Sequence, residues 1–183
     1  MNQVDFTSTS SVSFGELGPT TSLQLMFAKL QLELAETAKT QAMDKMDAIS
    51  QAQDEQKLVS GLLNEARQAQ ADAKAGVGND QEKTQTYELP KKDANGNEVH
   101  DAQGNVVYET VTETVPKGNN ATFMSQEMVD YMDAHGLAYD KTGGDYNHSS
   151  DEWDVAITAL ESRLEELGTN TQQEMVYVQD YMG

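Results

Sequence analysis

The sequence predicts a mainly α fold: a long antiparallel coiled-coil hairpin of N- and C-terminal helices, with a small α+β middle insertion that contains a β-hairpin. Two segments, residues 20–76 and 149–183, carry apolar residues at spacings of three and four, which is the period of an amphipathic helix. The segment between them, residues 77–148, holds most of the glycines and many β-branched residues, which favour turns and strands.

The composition narrows the possible functions. The chain has 183 residues, a net charge of −19 and no cysteine. Such an excess of carboxylates disfavours binding to nucleic acids and to anionic membranes, because both depend on cationic side chains. The lack of cysteine excludes disulfides, thiol catalysis and Cys-based zinc sites. Since the apolar fraction of 37% is low, we expect either an elongated chain or apolar surface that partners cover.

Residues 1–19 are expected to be a disordered N-terminal export segment. They are rich in Ser and Thr, and the first basic residue is Lys29. A cleavable signal peptide needs a basic start and an apolar core, and this segment has neither. No run in the sequence approaches the ~20 apolar residues that cross a bilayer. The segment either frays or serves an export route that accepts unfolded N-termini.

The long N-terminal helix is predicted to cover residues 20–76. Good helix formers dominate it, and only Gly61 interrupts it. Thr20 or its neighbours can cap the start, and Gly76 can end the helix in a left-handed conformation. A helix of about 56 residues is ~84 Å long. We therefore expect it to pair with other helices in a coiled coil or bundle.

The first part of the middle segment is predicted to be a β-hairpin. Asn95-Gly96 is the strongest short hairpin signal in the chain. The stretch Asp93–Val99 returns as Asp101–Val107, shifted by eight residues. Such a repeat predicts two successive turns with short strands between them.

A short helix and the C-terminal helix are expected to follow. Ser125 can cap the short helix, which should end at His135, and residues 141–148 are expected to be loop. The stretch Ser149–Glu152 has the S-x-x-E pattern of a capping box, so the second long helix should start there. Its apolar stripe contains Trp153, Ile157, Leu160, Leu164, Leu167, Thr171, Met175, Val178 and Met182.

The sequence contains no recognisable catalytic, cofactor or metal motif, so we expect a protein that is not an enzyme and needs no cofactor or metal. Asp93-x-Asn95-x-Asn97 begins like a calcium loop but lacks its central glycine and closing glutamate. His148 is interpreted as a solvated loop histidine. Packing where the middle segment meets the long helices, rather than a ligand pocket, is expected for Trp153, Tyr131, Tyr139, Tyr146, Tyr177 and Tyr181.

The unequal lengths of the two long helices predict an unpaired helix end. If Trp153 lies near Ala73, equal rise per residue brings Met182 back only to about Asp44. Residues 20–41 then lack an intrachain partner, although they are strongly apolar. Other subunits, a chaperone or further C-terminal residues should cover them. The predicted assembly interface consists of Leu23, Met26, Phe27, Leu30, Leu34, Leu160, Leu164, Leu167, Met175 and Val178.

The chain resembles the EspA/SseB-like proteins of bacterial type III secretion systems. The resemblance rests on the order of the segments, on the opening of the long helix at Leu23–Gln31, and on the two stretches Met124–Gly136 and Leu160–Met182. It covers about half of the chain. The middle segment departs from the family by its length and β content.

This resemblance implies a secreted structural subunit at the bacterial surface, either a needle-tip cap or a filament. It implies self-assembly through the terminal helices into a homo-oligomer or filament, without direct membrane insertion or nucleic-acid binding. The implied partners are a dedicated secretion chaperone, the secretion needle and translocator proteins. An alternative is an intracellular helical chaperone or adaptor that holds a client against the Leu23–Leu34 surface. A fibre segment from a phage or adhesin is a third hypothesis, because D-A-x-G-N turns are common in such proteins.

Overall fold

The computed structural model describes residues 23–26, 28 and 36–182, and the side chains up to Asp180. The predicted export segment and the interface residues Phe27, Leu30 and Leu34 lie outside the described residues, as does the side chain of Tyr181. The chain divides into two compact units, Met1–Val59 with Arg163–Gly183, and Ser60–Ser162. No helix in the described ranges is long and apolar enough to cross a membrane.

The fold is mostly helical, with a long helix, a C-terminal helix that packs against it, and a small antiparallel sheet in the middle, as predicted. Helix α1 spans Glu36–Ala75, and helix α3 spans Trp153–Met182. In the first unit the helices run antiparallel, because Lys45 lies 3.1 Å from Glu174 while Arg163 lies 2.9 Å from Glu55.

The end of α1 and the start of α3 form as predicted, whereas the predicted start of the long helix near Thr20 lies outside the described residues. Gly76 has a φ of 70°, and Val77 N–H donates to Asp72 O at 3.0 Å, which closes α1 in a Schellman motif. At the start of α3, Ser149 N–H donates to Glu152 Oε1 at 2.8 Å, and Glu152 N–H donates to Ser149 Oγ at 3.4 Å. These two bonds are the reciprocal pair of a capping box.

The expectation that residues 20–41 have no intrachain partner is wrong for the part that the structure describes. Met26 is buried in the same apolar cluster as Met46 and Val178, and Leu23 packs against this cluster. Along one straight helix, the twenty residues from Met26 to Met46 would span ~30 Å. The expectation assumed one straight helix through residues 20–41, whereas Met26 and Met46 lie in the same cluster.

The middle segment contains two small antiparallel sheets and a short helix. Strand β1 (Lys83–Pro90) pairs with β2 (Tyr108–Val115), and β3 (Thr122–Phe123) pairs with β4 (Asn147–His148). The prediction that residues 141–148 are loop throughout is therefore wrong at β4. A strand of two residues has no readable period, so only its partner β3 reveals it.

Helix α2 spans Gln126–Ala134 and follows its predicted pattern. Ser125 Oγ accepts a hydrogen bond from Met128 N–H at 3.1 Å, which caps the helix. Gly136, with a φ of 63°, follows the C-cap residue His135. The buried face of α2 packs into the core of the second unit, whose largest fully buried side chains include Trp153, Tyr87, Leu62, Met124, Met128, Met132 and Leu160.

Candidate functional site

Part of the predicted assembly interface comes together in the first unit. Met26, Met175 and Val178 lie in one buried cluster with Ala42, Met46 and Ile49, and Leu23 packs on its side. The structure thus joins four of the ten predicted residues within a single copy of the chain. It buries these side chains, so a partner reaches them only if the cluster opens.

Three other predicted interface residues lie along α3. Leu167 is buried and Leu164 is half-buried, both in the first unit. Leu160 is fully buried and belongs to the second unit. Phe27, Leu30 and Leu34 have no described position. The stripe that was read from the sequence is therefore buried inside the chain wherever the structure describes it, apart from the half-buried Leu23 and Leu164.

A polar layer interrupts the helix packing in the first unit. Thr171 is buried and its Oγ1 donates to Gln56 Oε1 at 3.2 Å. Close to this layer in the sequence, Gln53 Nε2 is buried without a hydrogen-bond partner in the described structure. A buried donor without an acceptor costs about 1–3 kcal/mol. This layer makes the helix pair weaker here than at the Met46 and Val178 cluster.

Two apolar side chains on α3 face outward beside the buried cluster. Val176 is 46% exposed and Tyr177 is 51% exposed, although Met175 and Val178 on either side are buried. Lys45 Nζ lies 5.3 Å from the centre of the Tyr177 ring, within the range of a cation–π contact. Adjacent exposed apolar side chains next to a helix seam are the kind of surface onto which another helix can pack.

The eight-residue repeat builds a three-way junction at the end of the β1–β2 ribbon. Lys91 N–H donates to Val107 O, Val107 N–H donates to Val99 O, and Val99 N–H donates to Lys91 O, at 2.8, 2.8 and 2.9 Å. These three bonds form a closed ring. Two small arms, residues 92–98 and 100–106, leave the ring, and each is closed by a single β-bridge.

The two arms have the same turn, as the repeat predicts. Asp93 Oδ1 accepts hydrogen bonds from the N–H groups of Asn95 and Asn97 at 2.8 and 3.0 Å. Asp101 Oδ1 accepts the equivalent bonds from residues 103 and 105, both at 2.9 Å. The aspartates therefore have a structural role, because one carboxylate oxygen of each holds the turn closed.

An aromatic cluster fills the second unit. The rings of Tyr87 and Tyr146 lie 4.6 Å apart, and those of His148 and Trp153 lie 4.9 Å apart, edge to face. Burial and, less strongly, nearby carboxylates raise the pKa of Tyr146 to about 12. Burial also raises the pKa of Tyr87. Both phenols stay neutral at physiological pH, and the Tyr87 hydroxyl donates a hydrogen bond to Met124 O at 2.7 Å. The expectation that these aromatics pack is confirmed for the buried tyrosines and Trp153, whereas Tyr177 is exposed.

The interpretation of His148 as a solvated loop histidine is wrong. Its side chain is fully buried, and neither ring nitrogen has a hydrogen-bond partner in the described structure. Burial lowers the pKa of His148, while the carboxylates of Glu152, Asp140 and Glu113 act in the opposite direction. The ring is therefore neutral when the protein is folded near pH 7.

Glu113 was not identified from the sequence, although it fixes the loop that precedes β4. Its carboxylate accepts hydrogen bonds from Tyr146 N–H at 2.9 Å and from Asn147 Nδ2 at 2.6 Å. The signal was present in the strand pattern, because Glu113 lies between Val111 and Val115 on the face of β2 that turns inward.

An open groove of about 380 Å³ lies between α1 and the start of α3 in the second unit. Arg67 and Lys74 give it basic character, but Arg67 pairs with Glu161 at 3.2 Å. Gln70 Nε2 also donates across the groove to Asp154 Oδ1 at 2.7 Å. Gln70 and Arg67 thus join the two helices beside the groove.

The described residues contain no group of three or more His, Cys, Asp or Glu side chains placed to hold a metal ion. The chain matches no family model, and comparisons with curated proteins and with solved structures give no match. The resemblance to EspA/SseB-like proteins therefore stays a prediction from the sequence.

Proposed function

We propose that this protein is a secreted structural subunit of a type III secretion apparatus, a needle-tip cap or a filament subunit. It self-assembles through its terminal helices, and α1 and α3 act as a coiled-coil hairpin. A dedicated chaperone keeps these helices apart before export, and the needle and translocator proteins are its partners at the bacterial surface. The protein needs no cofactor and has no enzymatic activity.

The observation that carries this proposal is the exposed apolar surface beside the buried cluster of the first unit. The helix pair and the Leu23–Met26 segment enclose a small apolar cluster, while Val176 and Tyr177 remain exposed beside it. A third or fourth helix from another copy, packed on this side, would bury both side chains. The buried Gln53 Nε2, which has no hydrogen-bond partner in the described structure, weakens the helix pair further.

The charge distribution supports assembly through one limited face. The net charge of −19 opposes unspecific association of copies. Contacts between copies therefore need an apolar surface strong enough to overcome repulsion. Salt should strengthen assembly, because it screens the repulsion and leaves apolar contacts intact.

A pair of substitutions on α3 tests the proposal. Val176→Asp places a charge beside the cluster, whereas Val155→Asp places the same charge at a position that is 40% exposed in the second unit. Light scattering after size exclusion, over a range of protein and salt concentrations, should show oligomers for wild type and Val155→Asp. Val176→Asp should remain a monomer with unchanged helix content. A wild-type protein that stays monomeric at every concentration argues against assembly.

Location separates this function from the adaptor alternative. A secreted subunit should appear in the culture medium, and deletion of residues 2–20 should stop its export. An adaptor should remain in the cytoplasm and be indifferent to this deletion. Accumulation inside the cell, together with stable binding of one client, would favour the adaptor.

A further inference from the structure

The β1–β2 ribbon has two edges, and the residues that the structure describes protect only one of them. At the β1 edge, the side chain of Gln126 holds both backbone groups of Glu88: Glu88 N–H donates to Gln126 Oε1 at 2.8 Å, and Gln126 Nε2 donates to Glu88 O at 3.0 Å. Pro90, at the end of the same strand, has no N–H to offer. Covered edges and prolines are common defences against unwanted strand pairing.

The two hydrogen bonds between the Gln126 side chain and the Glu88 backbone also show which backbone groups of β2 point outward. Because both backbone groups of Glu88 face away from β2, Glu88 and its partner Thr110 are a non-hydrogen-bonded pair. The close contacts Thr110 Oγ1 to Glu88 Oε1, 2.5 Å, and Thr84 Oγ1 to Thr114 Oγ1, 3.4 Å, agree with this register. Alternation along the strand then defines the outer edge of β2 as the backbone groups of Tyr108, Thr110, Thr112 and Thr114.

The outer edge of β2 is open in the described structure. The sheet has only two strands, and no hydrogen bond of the described residues involves these outward groups. All four side chains are exposed. The strand has no proline or lysine, and its Thr and Val residues favour extended structure. It is a ready template for one more strand.

The glutamates of β2 favour a cationic strand at its outer edge. Glu109 and Glu113 flank Val111 on one face of β2, and no cation accompanies them on the strand; Glu109 is exposed, whereas Glu113 is half-buried and bonded to Tyr146 and Asn147. If a second copy of β2 paired antiparallel with Val111 opposite Val111, Glu109 of each copy would lie opposite Glu113 of the other. The net charge of −19 on each chain adds further repulsion. A strand with Lys or Arg at these two positions and an apolar residue between them instead meets no like charge, and its cation opposite the exposed Glu109 forms an opposite-charge pair.

We infer that the outer edge of β2 binds an extended, cationic segment of a partner protein by antiparallel strand addition. Backbone hydrogen bonds to residues 108, 110, 112 and 114 give the affinity, and the pattern cation-x-apolar-x-cation gives the specificity. The inference concerns the Ser60–Ser162 unit and does not rest on helix assembly in the other unit.

The test uses the isotope-labelled full-length chain and two capped peptides. The first, YKTVTKTV, is β2 with its glutamates replaced by lysine, and the second, YETVTETV, has the native sequence. We expect the lysine peptide to slow amide hydrogen exchange at Thr110 and Thr112 at least tenfold. The amides of Glu109 and Val111, which face β1, should change little. The glutamate peptide should have no effect.

Matched variants separate strand addition from unspecific attraction between charges. Thr112→Pro removes an outward N–H from the middle of the outer edge and should abolish binding of the lysine peptide. Thr86→Pro makes the same change on β1, opposite Thr112, and should leave binding intact. Glu109→Lys keeps every backbone group and should weaken binding by about tenfold, because an attractive pair becomes a repulsive one.

Three results overturn the inference. Equal binding of both peptides would contradict the preference for a cationic strand. Binding that survives Thr112→Pro and Glu109→Lys places the peptide elsewhere on the acidic surface. Protection of Thr110 and Thr112 without peptide means that the edge is already occupied, by a second copy if protection rises with protein concentration and by the chain itself if it does not.

Discussion

Replacing Thr122 with valine tests the hydrogen bonds that join three elements of the second unit. Thr122 Oγ1 accepts a bond from Trp153 Nε1 at 2.8 Å and donates one to Ala69 O at 2.7 Å. Trp153 is fully buried. One hydroxyl thus connects β3 with the start of α3 and with α1.

The expected loss follows from the two bonds. Valine has nearly the shape of threonine, so the change creates no cavity. It leaves a buried indole N–H without an acceptor, at about 1–3 kcal/mol, and removes a bond to a carbonyl that is worth about 1 kcal/mol. We expect Thr122→Val to lower the free energy of unfolding by about 2–4 kcal/mol.

The assay is urea unfolding followed by fluorescence, since Trp153 is the only tryptophan in the chain. Thr122→Ser is the control, because it keeps the hydroxyl and loses one methyl group, at about 1 kcal/mol. In a protein that also carries Trp153→Phe, unfolding is measured by circular dichroism. There Thr122→Val should lower the free energy of unfolding clearly less. Equal losses for the valine and serine variants, or no coupling with Trp153→Phe, would refute the reasoning.

Two further predictions concern single positions. Burial lowers the pKa of His148 below the value of 6.5 for the exposed ring, so the unfolded chain binds its proton first as pH falls. The urea concentration at the unfolding midpoint should therefore decrease when the pH is lowered from 7.5 to 5.5, and His148→Phe should reduce this decrease. A midpoint that does not depend on pH contradicts the assignment of a lowered pKa to His148. Gly61 lies within α1 with open space around its Cβ position, whereas Gly136 has a φ of 63°. Gly61→Ala should stabilise by about 1 kcal/mol and Gly136→Ala should destabilise by about 1–2 kcal/mol; calorimetry showing the same sign for both would contradict this difference.

The parts of the fold that depend on neighbouring residues could be predicted from the sequence. The capping box at Ser149, the Schellman motif at Gly76 and the two turns of the repeat each use hydrogen bonds between residues at most five positions apart. Residue type and spacing are sufficient for such motifs. The antiparallel packing of the long helices was predictable as well, because their apolar stripes are long.

The parts that depend on distant residues were missed. His148 sits in a polar stretch, and only its pairing with Thr122 brings it into the core. Met26 continues the apolar pattern of the long helix, so spacing alone could not show that it lies in one cluster with Met46. The inference about β2 depends on Gln126, whose contact with Glu88 joins positions 38 residues apart.

The three-way junction gives the ribbon two interchangeable loops. Each arm leaves and re-enters the ring at backbone positions that the three hydrogen bonds of Lys91, Val99 and Val107 hold in place. An arm can therefore be lengthened, shortened or exchanged without moving β1 against β2. Such loops tolerate changes of length and sequence, and they are suitable positions for inserting a foreign peptide for display.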